Sequence, residues 1–289
     1  MQSGMQVEAF FDEATFTVSY VVADPGSGHC VIIDPVLDFD PNSGRTSTRS
    51  VERIARFIAE RRLRADYILE THAHADHLTG AAELKARLGG KVAIGARIVE
   101  VQAIFARIFN LGADFVSDGR QFDRLLREGD VLSVGGLEVH VMHTPGHTPA
   151  CLSYRIGDAA FVGDTLFMPD YGTARADFPG GDPATLYRSI RRILELPPAT
   201  RLFLCHDYKA PGRNTFAWET TVAAQRAENI HVHDGVSEKA FVEIRAARDK
   251  TLGMPRLILP SIQINIRAGH LPPPEPNGVS YLKLPLNAL

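Results

Sequence analysis

Apolar and polar positions follow a strand-like alternation at the start of the chain and then take up a helical period. Residues 6–11 and 15–23 read as two strands, and Asp24-Pro25-Gly26-Ser27-Gly28 as the turn after them. His29-Cys30-Val31-Ile32-Ile33-Asp34 is a buried strand, ended by Pro35, which has no N–H for the next rung. Asp34 is expected to cap the turn there. Residues 37–48 are polar and carry Pro, Gly and Ser, which predicts an exposed loop. Val51, Ile54, Ala55 and Ile58 then recur at i, i+3, i+4 and i+7, one face of a helix, with N-cap candidates in residues 47–50. A short strand at 67–70 leads to a polar stretch and a helix over 78–88, stopped by Gly89-Gly90. A strand follows at 91–94. Ile98, Val101, Ile104, Phe105, Ile108 and Phe109 form a broad helical face, as core or as a subunit contact. Residues 131–134 and 137–142, separated by Gly135-Gly136, predict a hairpin. Asp182-Pro183 reads as an N-cap and first helical residue, with Leu186, Ile190, Ile193 and Leu194 on the buried face.

Strands and helices alternate over the first 110 residues, strands follow, and helices return. That order disfavours one parallel sheet and predicts an α/β (α+β) protein, two mixed sheets packed together with helices outside. No repeat and no Pro/Gly/Ser-rich linker divides the chain, so residues 1–289 are expected to form a single domain. Residues 255–289, with Pro272-Pro273-Pro274 and Pro276, are expected to run extended over its surface.

Composition narrows the class of protein. The chain is 45% hydrophobic and 22% charged with a net charge of -3, ordinary for a globular protein. Acids and bases are mixed and no basic stretch is present, which argues against nucleic acid as a partner. Cys30, Cys151 and Cys205 are too scattered for a disulfide framework and read as buried reduced thiols. No secretory signal and no apolar run long enough to span a membrane is visible. The expectation is a soluble, cytoplasmic protein.

The candidate chemistry is concentrated at the ends of apolar strands. Thr71-His72-Ala73-His74-Ala75-Asp76-His77 packs imidazoles and a carboxylate between a strand and a helix, where α/β proteins place their sites. Imidazole and carboxylate together suit zinc or iron. His143-Thr144-Pro145-Gly146-His147-Thr148-Pro149 ends another strand; His147, on the Pro-Gly turn, is the better ligand and His143 the structural residue. Gly163-Asp164-Thr165 and Cys205-His206-Asp207-Tyr208 each follow apolar runs. Each cluster alone fits a turn or a core histidine; it is their recurrence at four strand ends that points to a shared metal. Arg175, in the polar loop after Asp164, either meets a substrate carboxylate or pairs with Asp170 or Asp177.

The set His72-x-His74-x-Asp76-His77, His147, Asp164 and His206 resembles the metallo-β-lactamase superfamily over about residues 7 to 230. The resemblance implies an αββα sandwich with the site at one edge. In two-metal members the positions of His72, His74 and His147 hold one ion, those of Asp76, His77 and His206 the other, and that of Asp164 bridges them. The runs 71–80, 145–149, 163–166, 172–178 and 206–208 are similar to persulfide dioxygenases of the ethylmalonic encephalopathy type and to bacterial β-lactamase-like hydrolases. That branch implies one Fe(II) per chain on His72, His147 and Asp164, with glutathione persulfide and O₂ as substrates. It implies that His74, Asp76, His77 and His206 orient ligands and water, Asp76 and His77 being the catalytic candidates. It also implies that Arg175, Tyr208 and Arg267 line the glutathione site, although Arg267 reads equally well as a surface arginine. The alternative on the same residues is a dizinc, Zn(II)-dependent hydrolase, a glyoxalase II-type thioesterase or a lactonase. Homodimers are common in the family, which makes a homodimer the assembly to expect.

Overall fold

The computed structural model describes residues 4–287. Strand β1 (Gln6–Asp12) pairs antiparallel with β2 (Thr17–Asp24), and β2 with β3 (His29–Ile33). The following segment was expected to be a loop, but it forms a small hairpin, β4 (Val36–Asp40) and β5 (Arg45–Ser47). Its exposed tip, polar and glycine-bearing, is what the sequence registered. Helix α1 (Arg49–Glu60) buries Val51, Ile54 and Ile58. Its N-terminus is capped across the chain: Asp38 accepts from the Ser50 amide at 2.9 Å, while Thr48 bonds Glu52 instead. Strand β6 (Arg64–Leu69) lies parallel to β3. Residues 78–79, expected as helix, form the short strand β7 (Leu78–Thr79) on β4, so α2 (Ala81–Leu88) begins later. Strand β8 (Lys91–Gly95), α3 (Ile98–Ile108) and β9 (Arg124–Leu126) complete this half.

The second sheet runs β10 (Val131–Val134), β11 (Leu137–His143), β12 (Leu152–Ile156), β13 (Ala159–Phe161), β14 (Arg201–Phe203) and β15 (Glu219–Thr221) in spatial order. Helix α4 (Pro183–Ile193) joins β13 to β14, capped by Asp182, whose carboxylate accepts from the Thr185 amide at 2.7 Å. Helices α5 (Val222–Glu228) and α6 (Glu238–Asp249) follow β15. The tail departs from expectation. Within the segment expected to run extended from 255 onward lies α7 (Ile258–Asn265), buried around most of its circumference; among the described residues no regular element follows it. The outermost residues of the expected domain and tail, 1–3 and 288–289, lie outside the described residues.

Period-2 alternation builds the layers. In β2, Val18, Tyr20 and Val22 face the other sheet, while Val21 and Ala23 face α1, α2, α3 and α7. In the second sheet, Ala159, Phe161 and Phe203 point inward, while Ala160 and Leu202 meet α4 and α6. The result is helix, sheet, sheet, helix, as the sequence predicts, with both sheets mixed.

Strand direction decides where the chemistry lies. β3 and β6 are parallel; β13 and β14 are parallel, and β11 points with them because both antiparallel steps pass through β12. The C-terminal ends of these strands bear Asp34, His72–His77, His147, Asp164 and His206. Thr17 bridges to His206, and the Leu152 amide donates to Thr71 O at 2.8 Å, so the two sheets are tied at this edge. Among the described residues no helix is long and apolar enough to cross a membrane.

Candidate metal centre

The sequence-selected donors converge. His72, His147 and Asp164 present ligand atoms within 4.8 Å of one another, and so do His74, Asp76, His77 and His206. Asp164 faces both groups. Its Oδ2 lies 3.8 Å from His72 Nε2 and 3.7 Å from His147 Nε2, and its Oδ1 lies 3.3 Å from His206 Nε2. His206 Nε2 is also 3.0 Å from Asp76 Oδ2.

The outward atom of each ring fixes which nitrogen faces inward. A backbone carbonyl can only accept. His147 Nδ1 therefore donates to Arg175 O at 2.8 Å and His206 Nδ1 to Phe16 O at 3.2 Å, so that each Nε2 is the nitrogen that faces the centre. The Thr71 hydroxyl donates to Asp34 Oδ2 at 2.8 Å, so it accepts from His72 Nδ1 at 3.0 Å. His74 is turned the other way: its Nε2 meets Asp34 Oδ1 at 3.0 Å and its Nδ1 points inward. His77 Nδ1 lies 3.3 Å from the Thr17 hydroxyl.

The inward atoms His72 Nε2, His74 Nδ1, His77 Nε2, His206 Nε2, Asp76 Oδ2 and Asp164 Oδ1 are buried and have no hydrogen-bond partner. Buried polar atoms are seldom left so. Grouped as imidazole and carboxylate, they fit a metal ion. Atoms about 2.1 Å from a common ion lie about 3.0–3.4 Å apart, and the imidazole–carboxylate spacings of 3.0, 3.3, 3.7 and 3.8 Å lie within a few tenths of an ångström of that range.

The electrostatics favour a bare nitrogen at His72 and His77, whereas His74 and His206 are paired with carboxylates and hold a proton that a bound cation would displace. Burial, helped by His74 and His147, holds His72 well below the ordinary imidazole value; burial and His74 lower His77. Burial also works against a charged His74 or His206. Asp34 outweighs it for His74, and Asp76 for His206, raising both well above the usual value. Asp76 is held well below the carboxylate range because His206 outweighs its own burial.

Two groups at the site escaped the sequence. Asp34 does not merely cap a turn. It holds φ at 48° and accepts from the Thr71 amide at 2.7 Å, so it orients both the ligand loop and His74. It carries the same signal as Asp164, an aspartate ending an apolar strand. Asn265 had no such signal. From the end of α7 its Nδ2 donates to His74 O and His77 O, and its Oδ1 accepts from the Thr79 amide, all at 2.8 Å. His143 lies outside the donor groups and bonds Pro149 O at 2.9 Å. The three cysteines are buried and free; burial raises the Cys205 thiol, which keeps its proton beside Asp34.

A cleft of about 420 Å³ opens on Asp76, His147 and Asp164, walled by Phe16, Phe167, Phe178 and Leu257. Tyr208 lines it and stacks on His206 with ring centroids 5.5 Å apart. Arg175 lines it too, but its fork holds Asp177 at 2.6 and 2.8 Å and its remaining nitrogen the Gly253 carbonyl at 2.7 Å. Arg267 is not among the lining residues; its guanidinium lies over the Phe115 ring, 4.5 Å from the centroid.

The family described as the metallo-beta-lactamase superfamily matches residues 12–206. The chain is 56% identical to a probable metallo-hydrolase of Burkholderia pseudomallei, over 99% of this chain and 100% of that one. It is 47% identical to glyoxylase B2 of Dictyostelium discoideum, over 100% and 99% of the two chains. It is 30% identical to the mitochondrial persulfide dioxygenase ETHE1 of Bos taurus, over 92% and 89%. The crystal structure of ETHE1 from Myxococcus xanthus superposes with a TM-score of 0.73 at 31% identity, covering 92% of this chain and 100% of that one.

Proposed function

The chain belongs to the metallo-β-lactamase superfamily of metal-dependent enzymes, and on that premise we propose that it is an iron(II) persulfide dioxygenase, oxidising glutathione persulfide to sulfite and glutathione. The observation that carries this reading is the face formed by His72, His147 and Asp164, within 4.8 Å of one another, of which His147 and Asp164 line the cleft. Two imidazoles and one carboxylate with free positions beside them are the donor set of non-haem iron oxygenases. The likeness to a persulfide dioxygenase over most of the chain supports it. Iron(II) bound there supplies the one-electron chemistry that O₂ needs to react with a closed-shell sulfur. Glutathione persulfide, O₂ and water are consumed; glutathione, sulfite and two protons leave.

The chain's own groups position and shield. Thr71 and the Arg175 carbonyl fix the ring orientation of His72 and His147. Asp34, through His74, holds the ligand loop against β3. Phe167, Phe178 and Tyr208 give the cleft an apolar wall that confines the reacting sulfur beside the metal donors. Asp76, ionised and lining the cleft, is placed to orient water and ligands, and His77 turns its free Nε2 toward the same donor group.

A second reading rests on Asp76, His77 and His206, whose free atoms form a further donor group that Asp164 Oδ1 joins. A dizinc hydrolase would use both groups and lower a bound water's pKa to about 7. The likeness to glyoxylase B2 supports a thioesterase of that kind.

Metal analysis of protein purified without oxygen and without added zinc, together with an O₂ electrode, separates the two. About one iron per chain and oxygen uptake with glutathione persulfide are expected. About two zinc ions per chain and turnover of S-lactoylglutathione without oxygen uptake would overturn the dioxygenase.

A further inference from the structure

Four arginines line the cleft: Arg175, Arg245, Arg248 and Arg256. Two of them are committed within the fold. Arg245, 1% exposed, bonds Asp249 at 2.9 Å and Thr173 O at 3.0 Å. Arg175 is held by Asp177 and Gly253. Arg248, in the last turn of α6, and Arg256, on the segment entering α7, differ from these. Among the described residues neither guanidinium has an ion pair or a hydrogen-bond acceptor, and both remain partly open to solvent. Arg248 stands over the Tyr171 ring, 5.7 Å from its centroid, so a second cleft residue holds it in place.

The rest of the lining gives these charges a use. The acids among the lining residues are Asp76 and Asp164, both donors at the metal centre. With a cation bound there, the cleft keeps positive charge at Arg248 and Arg256, the latter felt also by Asp40 outside the cleft, and apolar walls at Phe16, Phe167, Phe178 and Leu257. A guanidinium with its donors free in a concave, mostly apolar site is suited to a carboxylate, which it can hold by two parallel hydrogen bonds.

We infer that Arg248 and Arg256 anchor the carboxylates of the substrate, so that the cleft selects carboxylate-bearing thiol derivatives and directs their sulfur to the metal centre. This assigns the anion-binding role to residues other than Arg175 and Arg267. It rests on the cleft being the substrate site of the proposed function, whichever reaction follows.

The test reads binding without turnover. Glutathione and its dimethyl ester, which lacks the carboxylate charges, are titrated calorimetrically into the metal-loaded full chain, as wild type and as Arg248→Gln and Arg256→Gln. Wild type is expected to bind glutathione at least about 10-fold more tightly than the ester. Each substitution is expected to weaken glutathione about 10-fold and the ester less than about 2-fold, and Arg248→Lys to recover part of the loss. Equal losses for both ligands mean a structural role and overturn the inference. So do unchanged affinities in both variants, or no measurable glutathione binding by wild type. Failure of oxygen uptake sinks the dioxygenase and leaves these affinities as they are; loss of the charge discrimination does the reverse.

Discussion

Asn265 holds more of the metal centre's backbone than any ligand does, although it touches no candidate ion. It is 3% exposed and bonds the backbone at His74, His77 and Thr79. Asn265→Ala leaves the Thr79 amide buried without an acceptor and frees two carbonyls that fix the ligand loop. An unsatisfied buried group costs about 1–3 kcal/mol. The melting temperature is expected to fall by about 5 °C or more, and a chelator to strip the metal faster than from wild type. A thermal melt within a degree of wild type would remove the clamp from the argument. At this scale the candidate ligands were legible because histidines are few, 11 in the chain, and each run that carries a donor follows an apolar strand. Asn265 was not, because an amide's job is written in its partners, and these lie 186 to 191 residues away.

The strand ends work only if the turns between elements are tight, and α4 with its preceding turn illustrates this. Gly146 has φ 136°, and a Cβ there would sit 2.3 Å from Leu186 Cα, which is backbone of α4 and cannot yield. Gly146→Ala should therefore push α4 and the His147 turn apart, costing more than about 3 kcal/mol, with weakened metal retention. Asp182→Ala, which removes the cap of the same helix, should cost only about 1 kcal/mol. Urea unfolding of both variants checks the order; equal losses would mean that the close approach is relieved elsewhere. The cap and Pro183 announce α4 in the sequence, as glycine announces the end of α2. Helix α7 has no such announcement: it buries Ile258, Ser261, Ile262, Gln263, Ile264 and Asn265, so it lacks the polar face that marks an amphipathic helix. Strands β4, β5 and β7 are held by pairing with one another, which short polar stretches do not advertise.

Across the whole molecule, the helical layer beside the second sheet carries a pH dependence separate from the metal. His231 is 6% exposed and its Nδ1 accepts from the Thr173 amide at 3.1 Å. Burial, then the charges of Arg245 and Arg248, push its pKa down to about 4. Unfolded, it returns to about 6.5. The unfolded chain therefore binds the extra proton between those values. The stabilisation is complete above about 6.5 and is lost as the pH falls toward 4, up to about 3 kcal/mol. His231→Gln should make the stability difference from wild type shrink from pH 7.5 to pH 4.5, as read by urea unfolding at each pH. A difference constant with pH would mean that His231 titrates normally in the folded chain. The sequence by itself determined the layer order, because period-2 and period-3.6 patterns are local, and it singled out the candidate donors, because each run that carries them follows an apolar strand. Only the tertiary structure decided which ring nitrogen faces the centre, that Asp34 and Asn265 hold the loop, and which arginines are left unpaired. Those depend on atoms that meet across the two sheets and the terminal helix, and a linear pattern records the groups a residue offers but not the groups that answer them.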